Sequence, residues 1–313
     1  MSNIPNHKIG LVTVTYNSAL VISAFIESLI KQSYKNWELF IIDNNSQDST
    51  LDYLKSYLHT ETNSIHPDIF LSEIDSRIII LPQADNYGFA KASNIGIKAA
   101  IANNCSYISL INNDTVLTPD LLTMLHDELI DKKADVIAPK ILYTEPTNTL
   151  WYAGGYFNAK EAQKNIHRGM NEVDVGQYDQ STWVDFASMC CVLIRSEIII
   201  KMGYLDEKYF VYYEDADWMH RAKLAGIRVW YMAQAKIYHK AGNLTGGPKS
   251  PFTVYHATRG KVYFIKKFYH GIARYYWLGG YFAGFFIGLI MGRYTIDEFK
   301  IKLRAFFNLP YRA

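Results

Sequence analysis

A chain of 313 residues with 49% hydrophobic and 20% charged residues is globular rather than disordered, and is long enough for one large α/β domain with an appendage or for two modest domains. Its formal net charge of +2 excludes a global basic field of the kind that gathers nucleic acid. The three cysteines, Cys105 and the adjacent Cys190 and Cys191, have the spacing of neither a disulfide framework nor a zinc site; a reducing compartment fits, and the polar start "MSNIPNHKIG" lacks an apolar signal core.

The run "KIGLVTVTYN" is apolar, β-branched and closed by polar residues, which predicts a buried strand. A helical pattern follows from about Ala19 to Lys31, then a second strand, "WELFIIDNNS", stopping at Asp43. "SQDSTLDYLKSYL" reads as a helix with Asp48 or Ser49 as N-cap. "RIIILPQ" is a third strand, "GFAKASNIGIKAAIAN" a helix, and "SYISLINNDT" a fourth strand running into polar residues. Pro119 opens a helix to about Lys132. Strands alternating with helices predict a mostly parallel sheet covered on both faces, with ligands beyond the carboxyl ends of its strands. The polar groups expected to meet there are Thr15-Tyr16-Asn17, Asp43-Asn44-Asn45 and Asn112-Asn113-Asp114.

After Lys140 the regularity breaks, and a glycine-rich, aromatic and polar stretch to Trp183 reads as loops over that crevice. "CCVLIR" is a strand and Ser196–Met202 a short helix. "YFVYYEDADWMHRAKLAGIRVW" then sets Glu214, Asp215 and Asp217 where the chain turns from aromatic to helical. Acids in a first helical turn are favoured by the helix dipole, by about 0.3–1 kcal/mol each. Asp217 also has Arg221 four residues on, whereas Glu214 and Asp215 meet Trp218 and Met219 at that spacing, so neither has a cation there. His239 in "IYHKAG", taken singly, is more often a hydrogen-bonded structural histidine than a metal ligand. Towards the carboxyl end, Tyr275 to Gly292 holds no charged residue, with Lys261, Lys266, Lys267 and Arg274 upstream and Arg293 after it. A buried helical hairpin, an interfacial helix and a span all remain open for it; peripheral contact with an anionic membrane surface is the expectation.

Each motif is weak alone, but "VTYN", "DNNSQDST", "NYGFAKASNIG", "INNDT", "YEDADW" and "YHKAG" stand in an order and rough spacing that resembles the family 2 glycosyltransferases, particularly bacterial rhamnosyltransferases and galactofuranosyltransferases. The likeness runs from about Lys8 to Gly260. It implies a GT-A nucleotide-sugar-binding domain over residues 1–260, with a helical, membrane-associating extension over 261–313. By the same resemblance Asp43 reads the nucleotide base, with Thr15, Tyr16 and Asn17 lining its pocket, and Asn86, Gly88 and Asn94 flank the ribose and diphosphate. Asn112-Asn113-Asp114 stands where many relatives carry Asp-x-Asp; only the last carboxylate is kept, at the position that binds the divalent cation, and His239 matches the histidine completing that site. One carboxylate, one imidazole and the donor's diphosphate suit Mg²⁺ or Mn²⁺. Asp215 matches the catalytic base, with Glu214 orienting it or the acceptor. "YHATRGKVYF" has Arg259-Gly260 where the family carries Arg-Asn, and Arg259 meets a phosphate or is a surface cation. In "WVDFASMCCVLIR", Met189 replaces the usual glycine.

The implied activity is that of a cytoplasmic, metal-dependent, inverting glycosyltransferase that moves a sugar from a nucleotide-diphosphate donor to a growing, lipid-linked surface glycan at the inner face of the membrane. dTDP-rhamnose is the donor the resemblance favours. Two rivals stand beside it. A sugar nucleotidyltransferase needs a glycine-rich basic loop after the first strand, where this chain has "TYNSAL". An inactive glycan-binding protein has no use for Asp114, Asp215 and His239 together.

Overall fold

The structure, a computed structural model, describes residues 7–58, 60–62, 70–72, 75–241 and 246–311, with backbone alone for 60–62 and 70–72. Residues 1–6 of the polar start and Gly242 of "YHKAG" lie outside it. The amino-terminal half runs β1 (Ile9–Thr15), α1 (Ile22–Ile30), β2 (Trp37–Asp43), α2 (Thr50–Tyr57), β3 (Thr60–Thr62), β4 (Phe70–Ser72), β5 (Ile78–Pro82), α3 (Gly88–Ala102), β6 (Tyr107–Ile111), β7 (Thr115–Leu117) and α4 (Leu121–Asp131). It continues through β8 (Val136–Tyr143), β9 (Leu150–Tyr152), β10 (Gly155–Asn158), β11 (Lys164–His167), β12 (Thr182–Val184), β13 (Cys191–Arg195), α5 (Ser196–Met202), α6 (Glu214–Leu224) and β14 (Val229–His239). Three helices close the chain: α7 (Pro251–Phe268), α8 (Gly271–Ile290) and α9 (Ile296–Phe306).

Twelve of the described strands form one mixed sheet, with β6, β1, β2 and β5 as its parallel core. β1 and β2 are buried along almost their whole length, as strands covered on both faces must be. Beyond β6 the direction reverses: β13 runs antiparallel between β6 and β8, and β14 returns parallel to β8. Helix α3 lies so close on β1 and β2 that a side chain at Gly96 would meet Val12 and Ile42. The nucleotide-binding α/β reading therefore holds for the first half, with β3 and β4 as an addition that residues 59–74 gave no periodicity to predict.

The second half differs more from expectation. Lys140 lies within β8, not at the end of regular structure, and the stretch after it carries the short strands β9 to β12. Strands of three or four residues are too short for alternation to register. Lys140 is fully buried, and its ammonium reaches Asp174 at 2.9 Å and Asp179 at 2.5 Å, so carboxylates from the intervening segment are drawn onto the sheet. Removing Asp174, the better buried of the two carboxylates, is expected to cost up to about 3–5 kcal/mol, whereas Asp179 is largely exposed.

At the carboxyl end α7 runs unbroken through residues 260 and 261, so it belongs to both sides of the expected boundary. No described helix is long and apolar enough to cross a membrane. The basic shoulder before α8 is largely spent inside the protein. Lys261 donates to the carbonyls of Glu161 and Ala162, and burial pushes its ammonium down to about 8; Lys267 pairs with Asp206 and Asp217. Phe285, within the charge-free run expected to meet a membrane surface, is buried against Phe306.

Candidate active site

The parallel register sets Thr15 beside Asp43 where β1 and β2 end. Asp43 is 1% exposed; its Oδ1 accepts the hydroxyls of Thr15 (2.9 Å) and Ser46 (2.6 Å), and its Oδ2 accepts the Ser46 amide (3.1 Å). A carboxylate offers about four lone-pair sites, so Oδ2 keeps one. Tyr16 is exposed next to it. Asn17 takes the left-handed conformation (φ 52°), and its Oδ1 accepts the amides of Gln47 and Asp48. That side chain holds the following turn in place. Asp48, offered as an N-cap, does accept the Thr50 amide, although Ser49 occupies the cap position itself.

Asn44 extends this scaffold, donating to Asn86 Oδ1 (2.7 Å) and accepting from the Tyr87 amide (2.9 Å). Asn86 Oδ1 also accepts the Gly88 amide. Gly88 has φ +78°, and a Cβ there would strike the Phe210 carbonyl, so glycine is required on both counts. Asn94 is buried and clasps a distant loop: its Nδ2 donates to the Leu205 carbonyl (2.9 Å) and Glu207 Oε1 (3.0 Å), and its Oδ1 accepts the Leu205 amide (3.0 Å).

β6 ends beside β1, and Asn113 stitches the two ends, donating to the Val14 carbonyl (2.5 Å) and Ser18 Oγ (3.1 Å). Asn112 is pinned by its amide to the Cys190 carbonyl (2.9 Å). The three polar strand ends thus converge as expected. The next residue, Asp114, meets His239 because β7 and β14 pair antiparallel, with Thr115 opposite His239 and the Lys240 amide bonded to the Asp114 carbonyl. Asp114 and His239 are 8% and 5% exposed, and Nε2 lies 3.2 Å from Oδ1 without the alignment of a hydrogen bond. Asp114 Oδ1 and His239 Nδ1 are both buried without a hydrogen-bond partner. Two adjacent ligands of an octahedral Mg²⁺, each at about 2.1 Å, lie about 3 Å apart, so this spacing suits chelation. Trp151 stands edge-on behind the imidazole, with ring centroids 4.8 Å apart. Among the described residues no group of three or more His, Cys, Asp or Glu could hold a metal, so a cation at this pair would need further ligands of another kind.

Helix α6 begins at Glu214, after two successive left-handed tyrosines, Tyr212 (φ 66°) and Tyr213 (φ 75°). Such residues cost of order 1–3 kcal/mol each and persist only where packing enforces them. Gly260 on α7 provides that packing: a Cβ there would lie 2.9 Å from the Tyr213 ring and 3.0 Å from the Tyr212 carbonyl. Replacing Gly260 by valine is therefore expected to displace the bend and to cost about 1–3 kcal/mol of stability, as overpacking of a close contact does. Thermal melting reads this out; an unchanged midpoint would mean that the bend is not held by α7.

Glu214 is 6% exposed with Oε2 unpartnered, and burial, reinforced by the Asp215 charge, pushes its carboxyl well up. Burial also raises the Asp215 carboxyl, against the Ala216 amide it accepts at 2.7 Å. Asp217 is different. Fully buried, it is neutralised by Arg221 (2.8 Å) and Lys267 (2.6 Å) and accepts the Tyr209 hydroxyl, a structural role. Cys190 ties the two halves of the site together: burial pushes its thiol far up, and the charges of both Asp114 and Asp215 add to the rise. Asp215 therefore shares one neighbourhood with Asp114. Sequence reasoning missed Cys190, Trp151 and Gly260, whose parts depend on long-range packing. Arg259 lies apart, between α7 and α9, donating to Asn308 Oδ1 (2.9 Å) and the Lys208 carbonyl (3.1 Å).

Residues 11–203 match the family described as glycosyl transferase family 2. The chain is 24% identical over 239 residues to the dTDP-rhamnosyl transferase RfbF of Shigella flexneri, covering 76% of this chain and 71% of that one. It is 23% identical over 271 residues to the N-acetylglucosaminyl-diphospho-decaprenol L-rhamnosyltransferase of Mycobacterium tuberculosis, covering 79% and 80%. The crystal structure of GalNAc-T7 with UDP, GalNAc and Mn²⁺ superposes on 83% of this chain with a TM-score of 0.62 and 13% identity, a likeness of fold. Other proteins are longer: this chain spans 48% of that GalNAc-T7 chain and 42% of the glycosyltransferase GlyG of Streptococcus pneumoniae serotype 4.

Proposed function

The chain belongs to glycosyl transferase family 2, and from that premise we propose that it is a metal-dependent, inverting transferase which moves rhamnose from dTDP-rhamnose to a hydroxyl of a lipid-linked, growing glycan. The observation that supports this reading is that Asp114, which meets His239, and Asp215, which has no cation partner among the described residues, both bear on the buried Cys190 thiol.

Asp43 would accept the imide N–H of a thymine or uracil base on its spare lone pair, with Tyr16 against the ring. Asp114 and His239 would hold Mg²⁺ or Mn²⁺ together with the donor diphosphate. Such a cation, when bound, neutralises charge developing on the leaving group. Asp215 would take the proton of the acceptor hydroxyl as its oxygen attacks the anomeric carbon from the face opposite the diphosphate, which inverts that centre. Its raised affinity for a proton places it nearer the working range of a general base than an ordinary carboxylate. Glu214, buried at the same helix start, would orient Asp215 or the acceptor. The donor fits RfbF by name, and the lipid-linked acceptor fits the mycobacterial relative by name. Residues 1–260 would form the transferase domain and 261–313 an extension resting on the inner face of the membrane, α7 being common to both.

A screen of nucleotide sugars for donor hydrolysis, with and without Mn²⁺, tests this directly. dTDP-rhamnose is expected to be consumed fastest, and only with metal. A different sugar consumed faster would overturn the donor assignment. Full turnover in chelator would overturn the metal, and formation of a nucleotide sugar from a nucleoside triphosphate would make the protein a nucleotidyltransferase.

A further inference from the structure

A cleft of about 260 Å³ opens between α7 and α9, well separated in sequence from the strand ends that form the donor site. Lys208, Arg259 and Lys266 line it, and its apolar floor is Val262, Ala305 and Phe306. No carboxylate lines it. Among the described residues none of the three cations has a carboxylate within ion-pair distance, whereas the neighbouring Lys267 is doubly paired, at 2.7 Å to Asp206 and 2.6 Å to Asp217. Arg259 is held in place rather than free, since its Nε and Nη1 donate to Asn308 Oδ1 and the Lys208 carbonyl, and Nη2 is left over. Three like charges converging on a concave, partly apolar surface repel one another until an anion joins them.

The floor leads directly to α8. Phe306 packs against Phe282 (4.9 Å) and Phe285 (5.9 Å) on its inner side. The outer side of α8 exposes Ile272, Tyr276, Ile287 and Ile290, which helical spacing sets along one face, and no charged residue occurs between Tyr275 and Gly292. The stripe lies on the face of α8 opposite the one that meets Phe306, so what the cleft itself offers is three cations over an apolar floor, which complements an anionic group joined to a hydrocarbon.

We propose that this cleft takes the diphosphate of the lipid-linked acceptor, with its apolar floor of Val262, Ala305 and Phe306 against the start of the hydrocarbon. The inference rests on the lipid-linked acceptor proposed above and adds the place where its head is gripped. Gly260, next to Arg259 on α7, packs on the tyrosine bend that leads into Asp215, so the helix that carries the grip also touches the start of the helix that carries Asp215.

The test is flotation of the full chain with vesicles of phosphatidylcholine containing a polyprenyl diphosphate. Vesicles of phosphatidylcholine and phosphatidylglycerol at matched surface charge serve as comparison, in about 0.15 M salt, where charges more than ~8 Å apart are screened. Binding is expected to favour the diphosphate vesicles. The double variant Lys208→Gln/Lys266→Gln should weaken it about 30-fold, from two well-placed cations, while nucleoside diphosphate affinity stays at the parent value and so reports an intact fold. Equal binding to both vesicle types, or unweakened binding by the double variant, would overturn the cleft. Transfer to a water-soluble acceptor without vesicle binding would overturn the cleft and leave the transferase reading standing. The expected vesicle binding without any sugar transfer would support the cleft and count against the transferase reading.

Discussion

Asp215→Asn is expected to slow glycosyl transfer by about 10²–10⁴ while leaving nucleoside diphosphate affinity at the parent value, because removing a general base typically costs that much. The substitution is conservative where structure is concerned: the amide oxygen of asparagine accepts the Ala216 N–H that Asp215 now accepts at 2.7 Å, so the start of α6 is kept. Transfer measured at saturating donor decides it, and near-parent turnover would remove Asp215 from the chemistry. In the parent, burial holds the Asp215 carboxyl above the ordinary carboxylate value of about 4. The base acts deprotonated, so the acid limb of kcat/KM should fall at a correspondingly higher pH. Glu214 gives the stability counterpart. Its folded-state proton affinity is raised, so its charge destabilises the fold at alkaline pH, and that penalty fades as pH drops through the raised value. Glu214→Gln should therefore melt higher than the parent at about pH 9 and alike at about pH 4. Equal melting at both would mean that the buried charge has a partner after all.

The second large effect is expected at the Asp114–His239 pair. Asp114→Ala should cut Mn²⁺-supported binding of nucleoside diphosphate by about 10² or more, since a bound cation supplies several kcal/mol of charge stabilisation and the site has a single carboxylate. His239→Ala should act in the same direction with a smaller loss. Calorimetry in Mn²⁺ and in chelator separates the roles: without metal, both variants should bind as the parent does. If His239→Ala retains full metal-dependent binding, His239 serves only as a packing partner of Trp151.

The strand ends of the donor half were legible because their signal is local. Each buried run closes on polar residues, and parallel pairing in register must bring those closures together, as Thr15 and Asp43 demonstrate. The pairing of Asp114 with His239 was legible only through resemblance, since the 124 residues between them carry no periodic trace of the β7–β14 contact. Lys140 misled for a physical reason: a lysine ordinarily marks a surface, and its counter-charges, Asp174 and Asp179, lie more than thirty residues away. The basic shoulder before α8 misled likewise, because Lys261 and Lys267 look solvated in sequence and are bonded inside the fold. Asn94 and Asn17 show a third limit. Resemblance places them at the site, and sequence alone gives no sign that the side-chain amide of Asn94 and Oδ1 of Asn17 also hold other loops.

The Asn94 clasp has a thermodynamic side. It fastens the loop before α6 to α3, and the Phe89 amide adds a bond to the Phe210 carbonyl at 2.6 Å, only five residues ahead of Asp215. The first turn of α3 and the helix start bearing Asp215 are thus mounted on one frame. If a nucleotide sugar shifts that turn, the shift carries a free energy that the acceptor's side must also register, and linkage makes the exchange reciprocal: whatever factor the donor adds to acceptor affinity, the acceptor returns to the donor. Two substrates on such a frame cannot have independent dissociation constants, and a compulsory order of arrival is the kinetic form that this coupling takes when the factor is large.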